Sequence, residues 1–161
     1  MGHRYSKILA PVDMSPIADT VATRAVEIAE RNGAELTLMH VVEVMPPMGI
    51  DYPFATTSIW HVDEQELVKL SRDSMAKLAE RAGAGNAIQE VRVGYTKTEI
   101  VRYAQEGAFD LIVLGTHGRH GIDRLLGSTA NAVIHDAPCD VLCVRVQQDD
   151  QDNRASCGGR V

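Results

Sequence analysis

Aromatic side chains are scarce in this chain: one Trp, four Tyr and two Phe make up 4% of its 161 residues. Without large rings, a core has to be assembled from Ala, Val, Ile and Leu. Basic charge is also in the minority, with 16 Lys and Arg against 22 Asp and Glu, a formal charge of -6 and a pI near 5.4. That balance excludes broad contact with a nucleic-acid backbone, so an anionic ligand would have to be gripped locally. No apolar run approaches the roughly 20 residues that span a bilayer, and the start MGHRYSKILAPVD has neither the apolar centre nor the cleavage site of a secretory signal. The Met-Gly start is read as chance rather than as a myristoylation signal. A cytoplasmic chain without membrane insertion is expected. Cysteine is limited to Cys139, Cys143 and Cys157, an odd count without metal-knuckle spacing. Cys139 and Cys143 fall on an expected strand about 13 Å apart, too far for a disulfide, and reduced thiols fit a cytosolic address.

What is present is a regular alternation of strand and helix signals. KILAPVD, residues 7–13, is an apolar run ended by Pro11 and Asp13, and Ser15-Pro16 then reads as a helix cap with proline at the first helical position. Ile17, Val21, Ala25 and Ile28 keep helical spacing until Asn32-Gly33, a left-handed stop. AELTLMHVV, residues 34–42, reads as a strand covered on both faces. Residues 43–60 follow, with three prolines and no sustained period, a loop long enough to be functional or mobile. Near Asp63 a long helix opens with Leu67, Ser71, Met75, Leu78 and Ala82 on one face, ending at Gly83.

AIQEVRVG alternates and predicts a half-exposed edge strand. Thr96 with Glu99 reads as a capping box for a third helix running to about Glu106 and stopped by Gly107. DLIVLG is the most apolar strand, a short helix spans residues 128–136, and DVLCVRV, residues 140–146, is the last strand. One domain is expected over residues 1–146, and the polar residues 147–161 read as a disordered tail. The order β-α-β-α-β-α-β-α-β specifies an α/β fold with a single doubly wound five-stranded parallel sheet, and the edge character of residues 88–93 with the strongly buried first and fourth strands indicates strand order 3-2-1-4-5. Ligands in such sheets bind at the carboxyl ends of the strands where the winding reverses, here between the first and fourth.

PVD and GTHGRHG meet at that point. Gly115 and Gly118 follow the fourth strand, and Gly127-Ser128-Thr129 begin the next helix. Glycine allows positive φ and a close approach of backbone to ligand, and a helix start offers unpaired amides and partial positive charge. Together these residues outline an anion cradle. The loop lacks the G-K-[ST] ending of the P-loop and is not the dinucleotide fingerprint G-x-G-x-x-G. His117, His120 and His135 lack the spacing and carboxylate partner of a metal site, so no metal ligands are expected. No Ser-His-Asp or Cys-His arrangement appears, and no group in the loop is a clear base for attacking water, so no catalytic residues are assigned.

From KILAPVD to CDVLCVRV the chain resembles the universal stress protein family, through PVDMS, HVV, LGTHGRHGIDRLLGSTANAVI and APCDVLCVRV in that order. The resemblance implies a Rossmann-like, adenine nucleotide alpha hydrolase-like fold. It also implies a homodimer joined through the last strand, residues 141–146 with Val141 and Val146 at its ends, and one family branch binds ATP through G-2x-G-9x-G-[ST]. Carried over by position, Pro11, Val12, Asp13, Val41 and Leu114 would surround adenine and ribose, with Asp13 accepting from ribose hydroxyls. Gly115, Thr116, His117, Gly118, Gly127, Ser128 and Thr129 would hold the phosphates, and Arg119 would screen their charge. Eight residues rather than nine separate Gly118 from Gly127, a shortening that a surface loop absorbs. The implied ligand is ATP, AMP or ADP with Mg. The implied role is a stress-response regulator that holds nucleotide with little or no turnover and is read by a further protein partner. The alternatives are a nucleotide-free dimeric scaffold and a slow ATPase.

Overall fold

The computed structural model describes residues 4–43, 63–116 and 126–145. Along the chain these form β1 (Lys7–Pro11), α1 (Ala18–Asn32), β2 (Glu35–Val42), α2 (Glu64–Arg81), β3 (Ile88–Val93), α3 (Thr96–Glu106), β4 (Leu111–Gly115), α4 (Ser128–Asp136) and β5 (Asp140–Val144). The five strands make one parallel sheet in the order β3-β2-β1-β4-β5, the order expected from the edge character of β3 and the apolar runs of β1 and β4.

Both faces of the sheet are covered, which is why its central strands are continuously apolar. Ile8, Ala10, Leu111 and Val113 point to one buried cluster with α1 and α2; Leu9, Ile112 and Leu114 point to the other, with α3 and α4. α1 lies close against its face because Ala18, Ala22, Ala25 and Ala29 are its buried residues together with Val21. Ile17 and Ile28, expected on that stripe, are only half-buried, and the buried face has rotated toward the smaller side chains. The core is not purely Ala, Val, Ile and Leu: Met39 and Met75 are fully buried and Phe109 nearly so. An unbranched thioether fills the irregular space that aromatic rings leave unfilled.

Several boundaries differ from the sequence reading. α1 begins at Ala18 rather than beside Ser15-Pro16, because Ser15 is drawn into a turn in which its carbonyl accepts from the Ala18 N–H at 2.9 Å. Gly33 does close α1 in the left-handed region, at φ 63°. Asp63 caps α2 as expected, Oδ1 accepting from the Gln65 N–H at 3.0 Å. The capping box at Thr96 is not formed: Thr96 is the first residue of α3, and Tyr95 before it supplies no side-chain cap. The carboxylate of Glu99 instead pairs with Arg102 at 2.6 Å and faces Arg92 at 3.7 Å. β5 spans Asp140–Val144, so Cys139 precedes the strand, Arg145 lies beyond it, and Val146 is outside the described residues. The loop expected over residues 43–60 also falls outside them, apart from Glu43.

Candidate functional site

The β1–β4 ladder at the centre of the sheet pairs Ile8 with Leu111 and Leu9 with Ile112. On the outer sides the ladders run further, β1–β2 to Pro11 opposite Met39 and β4–β5 to Gly115 opposite Val144. The carboxyl ends of β1 and β4 therefore part, and a crevice opens where the winding reverses. The cavity in it has a volume of about 430 Å³, within the range of small-molecule sites, about 300–1,000 Å³.

Pro11, Val12 and Asp13 form one wall, Val41 a second, and Leu114, Gly115 and Thr116 a third; Gly127, Ser128 and Thr129 form the far end. Every described residue expected at the site thus lines one cavity. His117, Gly118 and Arg119 lie outside the described residues.

Asp13 is held by its own turn. Its Oδ1 accepts the Ser15 N–H at 3.0 Å and the Ser15 hydroxyl at 2.6 Å. The carboxylate therefore ends the strand and organises the turn that follows, while Asp13 still faces the cavity. Met14 between them takes φ 57°, a left-handed conformation that non-glycine residues adopt seldom and that concentrates at functional loops.

At the other end, the Gly127 N–H donates to the Thr116 carbonyl at 2.8 Å, tying the start of α4 to the end of β4. The cap residue of α4, Gly127, has no side chain with which to bond the first amides. The first amides of a helix have no intrahelical acceptor, so Ser128, Thr129 and Ala130 present N–H groups and a partial positive charge to the cavity they line. Gly127 has φ -57° and ψ 153°, open to any residue. Left-handed freedom is therefore not what the backbone requires at Gly127, which lines the cavity.

The sequence reading missed three polar lining residues, His40, Glu43 and Thr96. Glu43 Oε1 accepts the Thr96 N–H at 3.0 Å and so caps α3 from a distant segment. Hydrogen bonding to Thr96 holds the Glu43 carboxyl below its usual value. The Nδ1 of His40 lies 2.8 Å from the Val12 carbonyl. HVV at the end of β2 was visible as a motif, but the turn of its histidine toward Val12 was not. Among the described residues no three His, Cys, Asp or Glu side chains cluster as metal ligands. Burial raises the thiols of Cys139 and Cys143 above their ordinary value, keeping both protonated and unreactive near neutrality.

A sequence model of the universal stress protein family matches residues 4–145. The chain belongs to the universal stress protein family. Universal stress protein A homolog 1 of Coxiella burnetii is 37% identical over 89% of this chain and 99% of its own, and homolog 2 of the same organism is 39% identical over 89% and 97%. Among solved structures, universal stress protein UspA from Lactobacillus plantarum superposes with a TM-score of 0.68 at 32% identity, covering 89% of this chain and all of its own. A universal stress protein crystallised in complex with cAMP has a TM-score of 0.65 at 24% identity, over 89% of this chain and 98% of its own, a likeness of fold. Among the described residues, no helix of this universal stress protein is long and apolar enough to cross a membrane.

Proposed function

We propose that this universal stress protein binds an adenine nucleotide, ATP or its AMP and ADP forms, in the β1–β4 crevice, and acts as a homodimeric stress-response regulator. The observation that carries the reading is the polarity of the cavity: the Asp13 carboxylate on one wall, the start of α4 with Ser128 and Thr129 at the far end, and apolar Pro11, Val41 and Leu114 between. A ribose needs an acceptor, a phosphate needs donors and positive potential, and a purine face needs an apolar slot. The cAMP complex of the structural relative is in keeping with a nucleotide in this fold.

Nucleotide is held rather than turned over. Both described carboxylates at the cavity are engaged in local structure, Oδ1 of Asp13 accepting from Ser15 and Oε1 of Glu43 from Thr96. Mg would travel with the phosphates, since Mg keeps most of its water and substrate-phosphate ligands rather than demanding a protein cage. The dimer would form through the open edge of β5, where Leu142 is exposed and Ile134 of α4 lies exposed nearby in sequence. A bound nucleotide would then set what a regulatory protein partner reads.

Denaturing freshly purified protein and identifying the released small molecules by mass tests the reading. An adenine nucleotide in amounts comparable to protein is expected. Protein that releases none, and takes up none at millimolar concentration, would overturn it.

A further inference from the structure

Val12 joins the end of β1 to Asp13, and β2 holds it on both sides. Its N–H donates to the Met39 carbonyl at 2.8 Å, and its carbonyl lies 2.8 Å from Nδ1 of His40. A carbonyl has no proton to give, so Nδ1 carries the hydrogen and donates. These two bonds prolong the hold of β2 on the chain beyond Pro11, the last residue of the β1–β2 ladder. The next residue is Asp13, whose Oδ1 is fixed from the opposite direction by the Ser15 N–H and hydroxyl. The carboxylate thus stands between two anchors, one on β2 and one in its own turn. His40 is half-buried and on the cavity wall, where a lone imidazole would otherwise be free to rotate.

We propose that His40 is a positioning residue for Asp13: by bonding the Val12 carbonyl it fixes the peptide that carries the carboxylate, leaving Oδ2 to accept from a hydroxyl of the ligand. His40 acts through the backbone and need not touch the ligand. The inference rests on the adenine-nucleotide reading of the cavity. It adds that discrimination for ribose hydroxyls depends on an imidazole on the neighbouring strand, whereas phosphate affinity at α4 does not.

The test is calorimetry of nucleotide-stripped protein with ATP and with 2′,3′-dideoxy-ATP, which lacks both hydroxyls, for wild type, His40→Ala and His40→Asn. Wild type is expected to favour ATP by about tenfold or more, the worth of a hydrogen bond to a charged acceptor. His40→Ala is expected to bring the ratio close to one while keeping the dideoxy affinity, and His40→Asn, which retains an N–H donor, to recover most of it. Loss of both affinities in equal measure, or an unchanged ratio in His40→Ala, would overturn the positioning role. A second reading needs no ligand: the nitrogen shifts of the imidazole at about pH 8, where an ordinary histidine is neutral. A proton on Nδ1 is expected, and a proton on Nε2 alone would overturn the inference. Wild type that binds neither nucleotide would overturn the functional reading and this inference together, whereas wild type that discriminates beside an unchanged His40→Ala would overturn this inference alone.

Discussion

Thr37 is 1% exposed in the middle of β2, and its hydroxyl has no hydrogen-bond partner among the described residues. A buried hydroxyl left unpaired costs about 1–3 kcal/mol, and valine has nearly the same shape without it. Thr37→Val is therefore expected to raise stability by about 1 kcal/mol, read as a higher denaturant midpoint at unchanged slope. A lower midpoint would mean that the hydroxyl has a partner. Asp13 stands at the opposite extreme, a polar group with more than one task. Asp13→Ala is expected to weaken ATP binding by about tenfold or more, since a charge-assisted hydrogen bond is lost. Calorimetry on the variant checks it, and unchanged affinity would leave the Ser15 turn as the only role of the carboxylate.

The starts of α1, α3 and α4 all line the cavity, and the last two differ in what fills them. At α3 the filler is Glu43, whose carboxyl is held below its usual value near 4.5 by hydrogen bonding to Thr96. A depressed carboxyl stabilises the fold above its unfolded value and loses that contribution as pH falls through the lower folded value. Glu43→Gln is accordingly expected to flatten the loss of stability below about pH 4.5 and to matter less in high salt, because the pair is exposed. Acid titration of the unfolding midpoint in both proteins checks this, and parallel curves would contradict it. This cap was illegible in sequence: Glu43 and Thr96 are remote in the chain, whereas Thr96 and Glu99 show the spacing of a local capping box. Glu99 departs from that pattern because Arg92 on β3 lies within reach and Arg102 follows on the same helix face.

At α4 the cap residue, Gly127, has no side chain to fill the start, and the phosphate reading depends on amides left for a ligand. Gly127→Ala tests it, since the backbone there accepts any residue. Stability is expected to change by less than about 1 kcal/mol while ATP affinity falls, because a methyl group is added to a residue lining the proposed phosphate end of the cavity. Equal affinity in both proteins would show that the ligand lies elsewhere in the cavity.

At the scale of the whole molecule, the strand order was legible because a parallel strand covered on both faces must be apolar without interruption. KILAP, LTLM and LIVLG are such runs, whereas IQEVRV alternates and becomes the β3 edge. The walls of the cavity followed from that order, since the carboxyl ends of β1 and β4 can only meet at the reversal. Side-chain direction did not follow from it. The turn of His40 to Val12 and the reach of Glu43 to α3 are set by neighbours that sequence spacing does not reveal. The dimer proposed through the edge of β5 leaves one more expectation at this scale: wild type should sediment as a dimer and Leu142→Lys as a monomer, and equal sedimentation coefficients would contradict an interface at that edge.

The most direct measurement is a calorimetric titration of nucleotide-stripped protein with ATP. The account predicts saturable binding of one nucleotide per chain, with no steady release of phosphate above contaminant level. Absence of heat up to millimolar ATP, with AMP and ADP equally silent, would contradict it.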